Sequence, residues 1–178
     1  MKLVLTASDI WALRVLRPTT HELGGAFDLN SEGMITNTLV SGGGACRDAS
    51  GKLLPGKICS VRHPVGPVVW HTHPRANRPS SSDLRNSVTG ENTHIIATPL
   101  GIWAFRATPA LVDQWRAMSQ GERRRSKLEW RFMGHQYQKG TQNGEVDAFI
   151  GWARRAGFSI AHIPYTDTSK EKLWVLHL

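Results

Sequence analysis

Hydrophobic and polar positions along this chain alternate with two periods, one typical of strands and the other of helices. The strand pattern predicts strands at residues 22–29, 33–40, 65–73, 94–98, 102–106, 158–165 and 173–178. The helical pattern predicts helices at residues 7–16, 80–89, 109–135 and 145–156. Because strands and helices are interspersed, we expect an α/β fold in which a mixed central sheet meets helices on both sides.

The turns between these elements refine the picture. Residues 30–33 contain Asn, Ser and Gly, so the two strands that flank them should form a hairpin. Ser8 or Asp9 is expected to cap the first helix, and Gly157 is placed to end the last one. Residues 41–60 carry Gly, Ser and Pro throughout and predict a long loop, which either contacts a substrate or is a peripheral insertion.

Length and charge bound the class of protein. A chain of 178 residues is long enough for one domain with a sizeable core, so we expect residues 1–178 to form a single domain. The net charge of +8 suits an anionic partner and does not exclude nucleic acid. The basic run at residues 122–127 is typical of a solvated helical face. No run approaches the ~20 apolar residues of a membrane span, which favours a soluble intracellular protein.

The most informative motif is His71-Thr72-His73-Pro74, followed by Asp83. The run before the histidines is apolar and β-branched, as in a buried strand. On a strand, residues i and i+2 project from the same face, so His71 and His73 lie side by side. Two imidazoles and one carboxylate suit a divalent zinc ion, and three protein ligands leave a position for water, as in catalytic zinc sites.

Hydrolysis also needs a base that takes a proton from water. The best candidate is Glu22, far upstream, which stands directly before Leu23, Gly24 and Gly25. Glycines at such a strand allow close backbone approach. Zinc deaminases combine a glutamate with a Cys-x-x-Cys ligand pair, and this chain has no such pair, so deamination is excluded.

Together, Glu22 before the glycines, His71-Thr72-His73-Pro74, and Pro79-Ser80 before Asp83 resemble the motif of the JAMM (MPN+ or JAB) zinc metalloproteases. The resemblance covers about residues 20–106 and implies a JAB/MPN-type, cytidine-deaminase-like fold, to which residues 107–178 would add helices and closing strands. It implies that His71, His73 and Asp83 bind Zn²⁺. It also implies that Glu22 is the general acid/base and that Ser80 stabilises the oxyanion.

One spacing departs from the family. Nine residues, 74–82, separate His73 from Asp83, whereas the family usually has ten. Either Ser80 keeps the Ser-x-x-Asp register or Ser81 takes the role with tighter spacing. We favour Ser80, because a serine directly after Pro79 is well placed as a helix cap.

The resemblance implies a metallopeptidase or isopeptidase that hydrolyses an amide bond in a protein or peptide substrate, with a ubiquitin-like tail as one candidate. The sequence leaves open whether the leaving amine belongs to a lysine side chain or to the main chain. The alternative is a non-catalytic MPN-like module in a larger protein assembly, for example a virus particle. Binding of nucleic acid without catalysis rests on net charge alone. The expected location is the cytoplasm or a virus particle.

Overall fold

The computed structural model describes residues 1–17, 22–41, 43–47, 53–61, 66–136, 143–166 and 173–178. The ten strands of these segments are β1 (Lys2–Thr6), β2 (Gly24–Leu29), β3 (Ile35–Ser41), β4 (Gly43–Arg47), β5 (Leu53–Val61), β6 (Val68–Thr72), β7 (Thr93–Ala97), β8 (Gly101–Ala107), β9 (Phe158–Pro164) and β10 (Leu173–His177). The five helices are α1 (Ala7–Val15), α2 (Ser81–Gly90), α3 (Pro109–Ala117), α4 (Gln120–Gln136) and α5 (Asn143–Arg155). His21 and His63 lie outside the described residues.

A six-stranded sheet in the order β3-β2-β6-β7-β8-β9 forms the centre of the fold. Strands β6 and β7 are parallel, and every other neighbouring pair is antiparallel. Because parallel neighbours need a crossover, α2 connects β6 to β7 across one face of the sheet. The predicted class, a mixed α/β fold with a mixed central sheet flanked by helices, is confirmed, as is the β2–β3 hairpin.

Each face of the sheet buries a separate hydrophobic cluster. The first, which we call the helix face, packs the sheet against α2, α3, α4 and α5 and is rich in aromatic residues: Trp103, Phe105, Trp115, Trp130, Phe149, Trp152 and Phe158. The second, the apolar face, packs the sheet against α1, β1 and β10 and contains mainly aliphatic residues: Leu3, Leu5, Ile10, Leu13, Val68, Ile95, Ala97, Ile102 and Ile163. Six of the seven tryptophans are buried in these clusters, so packing accounts for the tryptophan content.

Two sequence predictions are wrong. Residues 41–60 are not a plain loop, because β4 and β5 form an antiparallel hairpin with register shifts at Ala45. The predicted single helix 109–135 is two helices, because Met118 has extended backbone geometry and ends α3. The run Ser119-x-x-Glu122 then starts α4: the Ser119 backbone N–H donates to Glu122 Oε2 at 2.7 Å and the Glu122 N–H to Ser119 Oγ at 3.3 Å.

The N-terminus also differs from expectation. The cap of α1 is Thr6 and not Ser8 or Asp9: Thr6 Oγ1 accepts from the Asp9 N–H at 3.1 Å, and Asp9 Oδ2 accepts from the Thr6 N–H at 2.8 Å. Before it, β1 pairs with β10 in a separate two-stranded sheet, so the two ends of the chain meet. Among the described helices, none is long and apolar enough to cross a membrane.

Candidate metal centre

The crossover from β6 to α2 brings the predicted metal ligands together. Residues of β6 alternate between the two faces of the sheet, so Val68 and Trp70 enter the apolar face while His71 points to the helix face. His73 directly follows β6 and continues its pairing, because its backbone N–H donates to the carbonyl of Ala97 at 2.8 Å. Both histidines are buried, and their ring centroids lie 4.9 Å apart.

The helix cap of α2 orients Asp83. Ser80 is the N-cap residue and Asp83 the third residue of the helix, and they bond reciprocally. Ser80 N–H donates to Asp83 Oδ2 at 2.6 Å, and Asp83 N–H donates to Ser80 Oγ at 3.2 Å. This capping box holds the buried carboxylate against the two histidines, so the start of the helix also sets the geometry of the site.

His71, His73 and Asp83 form a buried group that can hold a metal ion, and their ligand atoms all lie within 4.8 Å of one another. The two Nε2 atoms are 3.1 Å apart. His71 Nε2 lies 3.2 Å from Asp83 Oδ1, and His73 Nε2 lies 3.4 Å from Asp83 Oδ2. Lone pairs of two imidazoles and a carboxylate converge here, so a cation is the species that this arrangement favours.

The second ring nitrogen of His73 has its own partner, since Nδ1 lies 3.1 Å from the carbonyl oxygen of Arg78. A carbonyl can only accept, so Nδ1 carries the proton and Nε2 presents a lone pair to the cluster. Contacts of this kind fix the orientation of metal-binding histidines in proteins. No motif in the sequence indicates the role of Arg78, because it acts through its backbone carbonyl.

The connection from His73 to α2 is held at several points. The indole N–H of Trp103 donates to the carbonyl of Asn77 at 2.9 Å, and Arg17 Nη1 donates to the carbonyl of Pro74 at 3.2 Å. The guanidinium of Arg78 lies over the ring of Phe149, 5.8 Å from its centroid. These contacts position a connection that is one residue shorter than the family pattern.

Glu22 reaches the same cluster from a distant part of the sequence. Its Oε1 lies 3.9 Å from His73 Nε2, and its side chain is 29% exposed, so solvent can reach it. Next to it, Leu23 N–H donates to Thr72 Oγ1 at 2.9 Å and Thr72 N–H donates to the Leu23 carbonyl at 2.8 Å, which ties this segment to β6. Glu22 was predicted to start a strand, but β2 begins at Gly24.

The glycine run after Glu22 has a steric reason. A Cβ atom at Gly25 would lie 1.7 Å from the carbonyl oxygen of Leu39 on β3 and 2.8 Å from the indole nitrogen of Trp70. Trp70 Nε1 donates to that same carbonyl at 3.2 Å. The predicted close backbone approach is therefore present at Gly25.

The charges of the cluster depend on one another. Burial favours the neutral carboxyl of Asp83, but the adjacent His71 and His73 hold its pKa well below the usual range. Burial opposes the charged form of His73, yet the hydrogen bond and charge of Asp83, together with Glu22, raise its pKa. Burial also raises the pKa of Glu22, against the effect of both histidines. A raised pKa makes the Glu22 carboxylate a stronger proton acceptor than an exposed glutamate.

Ser80, Ser81, His94 and His162 are not among the three ligand residues. Ser80 is the N-cap, as expected, while Ser81 begins α2 and faces away from the cluster into a groove between α2 and α4. His94 is buried on β7, stacked on Phe105. His162 lies on β9 against Trp103, and the three ligand atoms meet without either of these histidines.

No family model matches the chain, and neither the curated proteins nor the solved structures contain a match to it.

Proposed function

We propose that this protein is a zinc-dependent metallopeptidase or isopeptidase that hydrolyses an amide bond. The observation that carries the proposal is the meeting of His71, His73, Asp83 and Glu22, because they come from three separate segments of the chain. Buried polar groups cost free energy unless they are paired, and a bound cation would offset that cost. The site also lies where β6 ends and α2 begins, a usual location for ligands in α/β sheets.

Zinc suits the distances among the three ligands. Tetrahedral ligands at about 2.0–2.1 Å from zinc are separated from one another by roughly 3.3–3.4 Å. The two Nε2 atoms are 3.1 Å apart, His71 Nε2 lies 3.2 Å from Asp83 Oδ1 and His73 Nε2 lies 3.4 Å from Asp83 Oδ2, so each histidine faces a different oxygen of the carboxylate at a distance close to this value. His71 and His73 would hold the ion by their Nε2 atoms and Asp83 by its carboxylate. A bound zinc ion supplies Lewis acidity, which lowers the pKa of water and polarises a carbonyl.

Glu22 would then transfer a proton from the attacking water to the leaving amine. Glu22 Oε1 accepts a proton from the attacking water, whose oxygen forms the new bond to the amide carbon. As the carbon–nitrogen bond breaks, Glu22 returns that proton to the leaving amine. Burial raises the pKa of Glu22, which makes its carboxylate a stronger proton acceptor than an exposed glutamate. The hydroxyl of Ser80 would donate a hydrogen bond to the developing oxyanion, an interaction typically worth about a hundredfold or more in rate.

The partner class follows from this reaction. We infer a protein or peptide substrate, with a ubiquitin-like tail joined through a lysine as one form of it. An amide bond in an extended chain can enter beside Glu22, whose side chain is partly exposed. The three ligands are buried, so the substrate would approach from the Glu22 side.

The test is amide cleavage by the zinc-loaded full chain, with Glu22→Gln as the matched variant. A mixture of peptides and a ubiquitin-tail isopeptide serve as substrates, and mass spectrometry detects the products. Gln keeps the shape of Glu22 but cannot take the proton, so the rate should fall by about 10²–10⁴-fold while zinc remains bound. Equal cleavage by Glu22→Gln and the wild type would overturn the assigned role of Glu22.

A further inference from the structure

On helix α4, three basic residues lie on one side and two acidic residues lie on the opposite side. Arg124, Lys127 and Arg131 recur at i, i+3 and i+7 and lie within about 60° of one another around the helix. The acidic residues Glu122 and Glu129 lie about 140–160° away from Arg124 on the same helix. These three residues form a basic stripe along one side of α4, while Arg123 and Arg125 lie about 100° to either side of Arg124.

This stripe lines a groove of about 380 Å³ between α4 and α2. Its lining residues are Ser81, Ser82, Arg85, Arg124, Lys127, Leu128 and Arg131. The lining thus contains four cationic side chains and no carboxylate. A groove of this composition attracts negatively charged ligands and discourages positive ones.

The cations of the groove are available to a ligand. Within the described part of the chain, none of the four forms an ion pair with a carboxylate. Arg85 donates to Asn86 Oδ1 at 3.1 Å, and the Lys127 ammonium lies 6.0 Å from the ring centroid of Trp115. Arg124 and Arg131 are exposed, so their guanidinium groups are free to turn toward an anion.

Apolar side chains accompany the charge. Leu128, in the groove, is 64% exposed, and Phe132, one turn further along α4, is 59% exposed. An acidic peptide that also carries an apolar side chain would cover both features. The phosphate backbone of a nucleic acid would satisfy the cations but leave Leu128 uncovered, so the groove favours a peptide.

The groove and the metal centre share the first turn of α2. Asp83 faces the sheet, while Ser81 and Arg85 face α4 on the opposite side of the helix. The two sites therefore meet at the N-terminal end of α2, one helix diameter apart. An extended chain crosses a helix of about 10–12 Å in roughly three to four residues.

We propose that this groove binds an acidic segment, with at least one apolar side chain, of the protein that the enzyme cleaves. The segment would lie about three to four residues from the scissile amide. The assignment of the segment to a substrate rests on the proposed function, whereas its binding to the groove does not. The groove would therefore select substrates by charge, away from the reacting atoms.

Fluorescence anisotropy with the full chain tests the proposal. The probes are a short labelled peptide of Glu, Asp and Leu, its Gln, Asn and Leu counterpart, and a single-stranded DNA oligonucleotide of equal charge. The acidic peptide should bind at least tenfold more tightly than the neutral one, and its affinity should fall toward that of the neutral peptide at about 1 M salt, where the Debye length is about 3 Å.

The matched variants are Arg124→Ser/Arg131→Ser in the groove and Arg125→Ser/Arg155→Ser outside it. Both remove two exposed arginines and change the net charge equally. The groove variant should lose about tenfold in affinity for the acidic peptide, and the control variant less than about twofold. Equal losses in the two variants would mean that only net charge matters and would overturn the proposal. Tighter binding of DNA than of peptide, with the same loss in the groove variant, would instead assign the groove to nucleic acid.

One further comparison separates this proposal from the proposed function. The same peptide is titrated onto His71→Ala/His73→Ala protein, which lacks two of the three proposed metal ligands. One outcome is that the double variant binds the peptide as tightly as the wild type while the wild type cleaves no amide. That result would support the groove as a peptide-binding site and reject the proposed peptidase activity. If the wild type and the Arg124→Ser/Arg131→Ser protein cleave acidic peptides with the same KM, the peptidase activity is supported. The same result rejects the groove as a binding site for the substrate.

Discussion

The two faces of strand β6 differ in chemistry although both are buried. On the apolar face, Val68 and Trp70 pack among aliphatic side chains of α1, β1 and β10. On the helix face, His71 and then His73 meet the carboxylate of Asp83. Burial of apolar surface stabilises a fold, whereas burial of imidazole and carboxylate costs free energy unless the groups are paired. The comparison indicates that burial of Val68 and Trp70 stabilises the fold directly, whereas His71, His73 and Asp83 form a buried polar group that can hold a metal ion.

Two adjacent isoleucines of β7 give the strongest test of the difference between the two faces. Ile95 packs on the apolar face, and Ile96 packs on the helix face directly beside His71; both are completely buried. Replacement of either by Ala should lower the free energy of unfolding by about 2–5 kcal/mol, because both leave a cavity. Only Ile96→Ala should also weaken metal binding, by about tenfold, because the cavity loosens His71.

Chemical denaturation and metal titration of the two variants measure these effects. Ile95→Ala is the matched control, since it removes the same atoms from the same strand. Equal weakening of metal binding by both substitutions would mean that the two faces of the sheet do not have separate roles.

The central sheet was largely predictable because its strands alternate in the sequence. The alternation of Val68 to His73 fixed which histidines share a face, and the Ser80-x-x-Asp83 spacing gave the helix start. The convergence of Glu22 on these residues came only from the family resemblance, because no local pattern connects positions 50 residues apart. The contact that fixes the tautomer of His73 comes from a backbone carbonyl, which carries no sequence signal.

The errors have physical causes as well. The β4–β5 pairing was missed because glycine and proline in residues 41–60 mask a strand pattern. Helix 109–135 was predicted as continuous because hydrophobic periodicity runs across the break at Met118, although Ser119 and Glu122 had the spacing of a new capping box. Strand β1 is stabilised by β10, at the other end of the chain, and local pattern cannot show such pairing.

A second prediction concerns His162, which lies on the helix face but outside the metal centre. Burial lowers the pKa of His162 from 6.5 to about 4, and in the described part of the chain its Nε2 has no hydrogen-bond partner. The unfolded chain therefore binds a proton more readily, so stability should be full above pH 6.5 and should fall as the pH drops toward 4. The loss is at most about 3 kcal/mol, since each unit of pKa shift corresponds to about 1.4 kcal/mol.

Denaturant unfolding of the wild type and of His162→Gln across that pH range isolates the effect. The variant should lose less stability than the wild type between pH 6.5 and 4, because Gln does not titrate. Parallel pH curves for the two proteins would show that His162 is charged in the folded state, contrary to the environment described for the helix face.

The smallest expected effect on stability is at Ser80, which both caps α2 and has a role in the proposed chemistry. Ser80→Ala should lower the free energy of unfolding by about 1 kcal/mol, and Ser80→Gly by only a few tenths, because glycine is tolerated at an N-cap. Both remove the hydroxyl, so both should lower amide cleavage by about a hundredfold or more. Near-normal cleavage by Ser80→Gly, or a loss in Ser81→Ala instead, would assign the oxyanion role elsewhere.

Metal content of the purified protein tests the central claim most directly. Mass spectrometry would compare the wild type with His71→Ala/His73→Ala and with His94→Gln, which alters a buried histidine on the neighbouring strand outside the ligand cluster. We predict about one zinc ion per chain in the wild type and in His94→Gln, and none in the double variant. A wild type that holds no zinc, even after zinc is added back, would contradict the account and favour a non-catalytic module of a larger assembly.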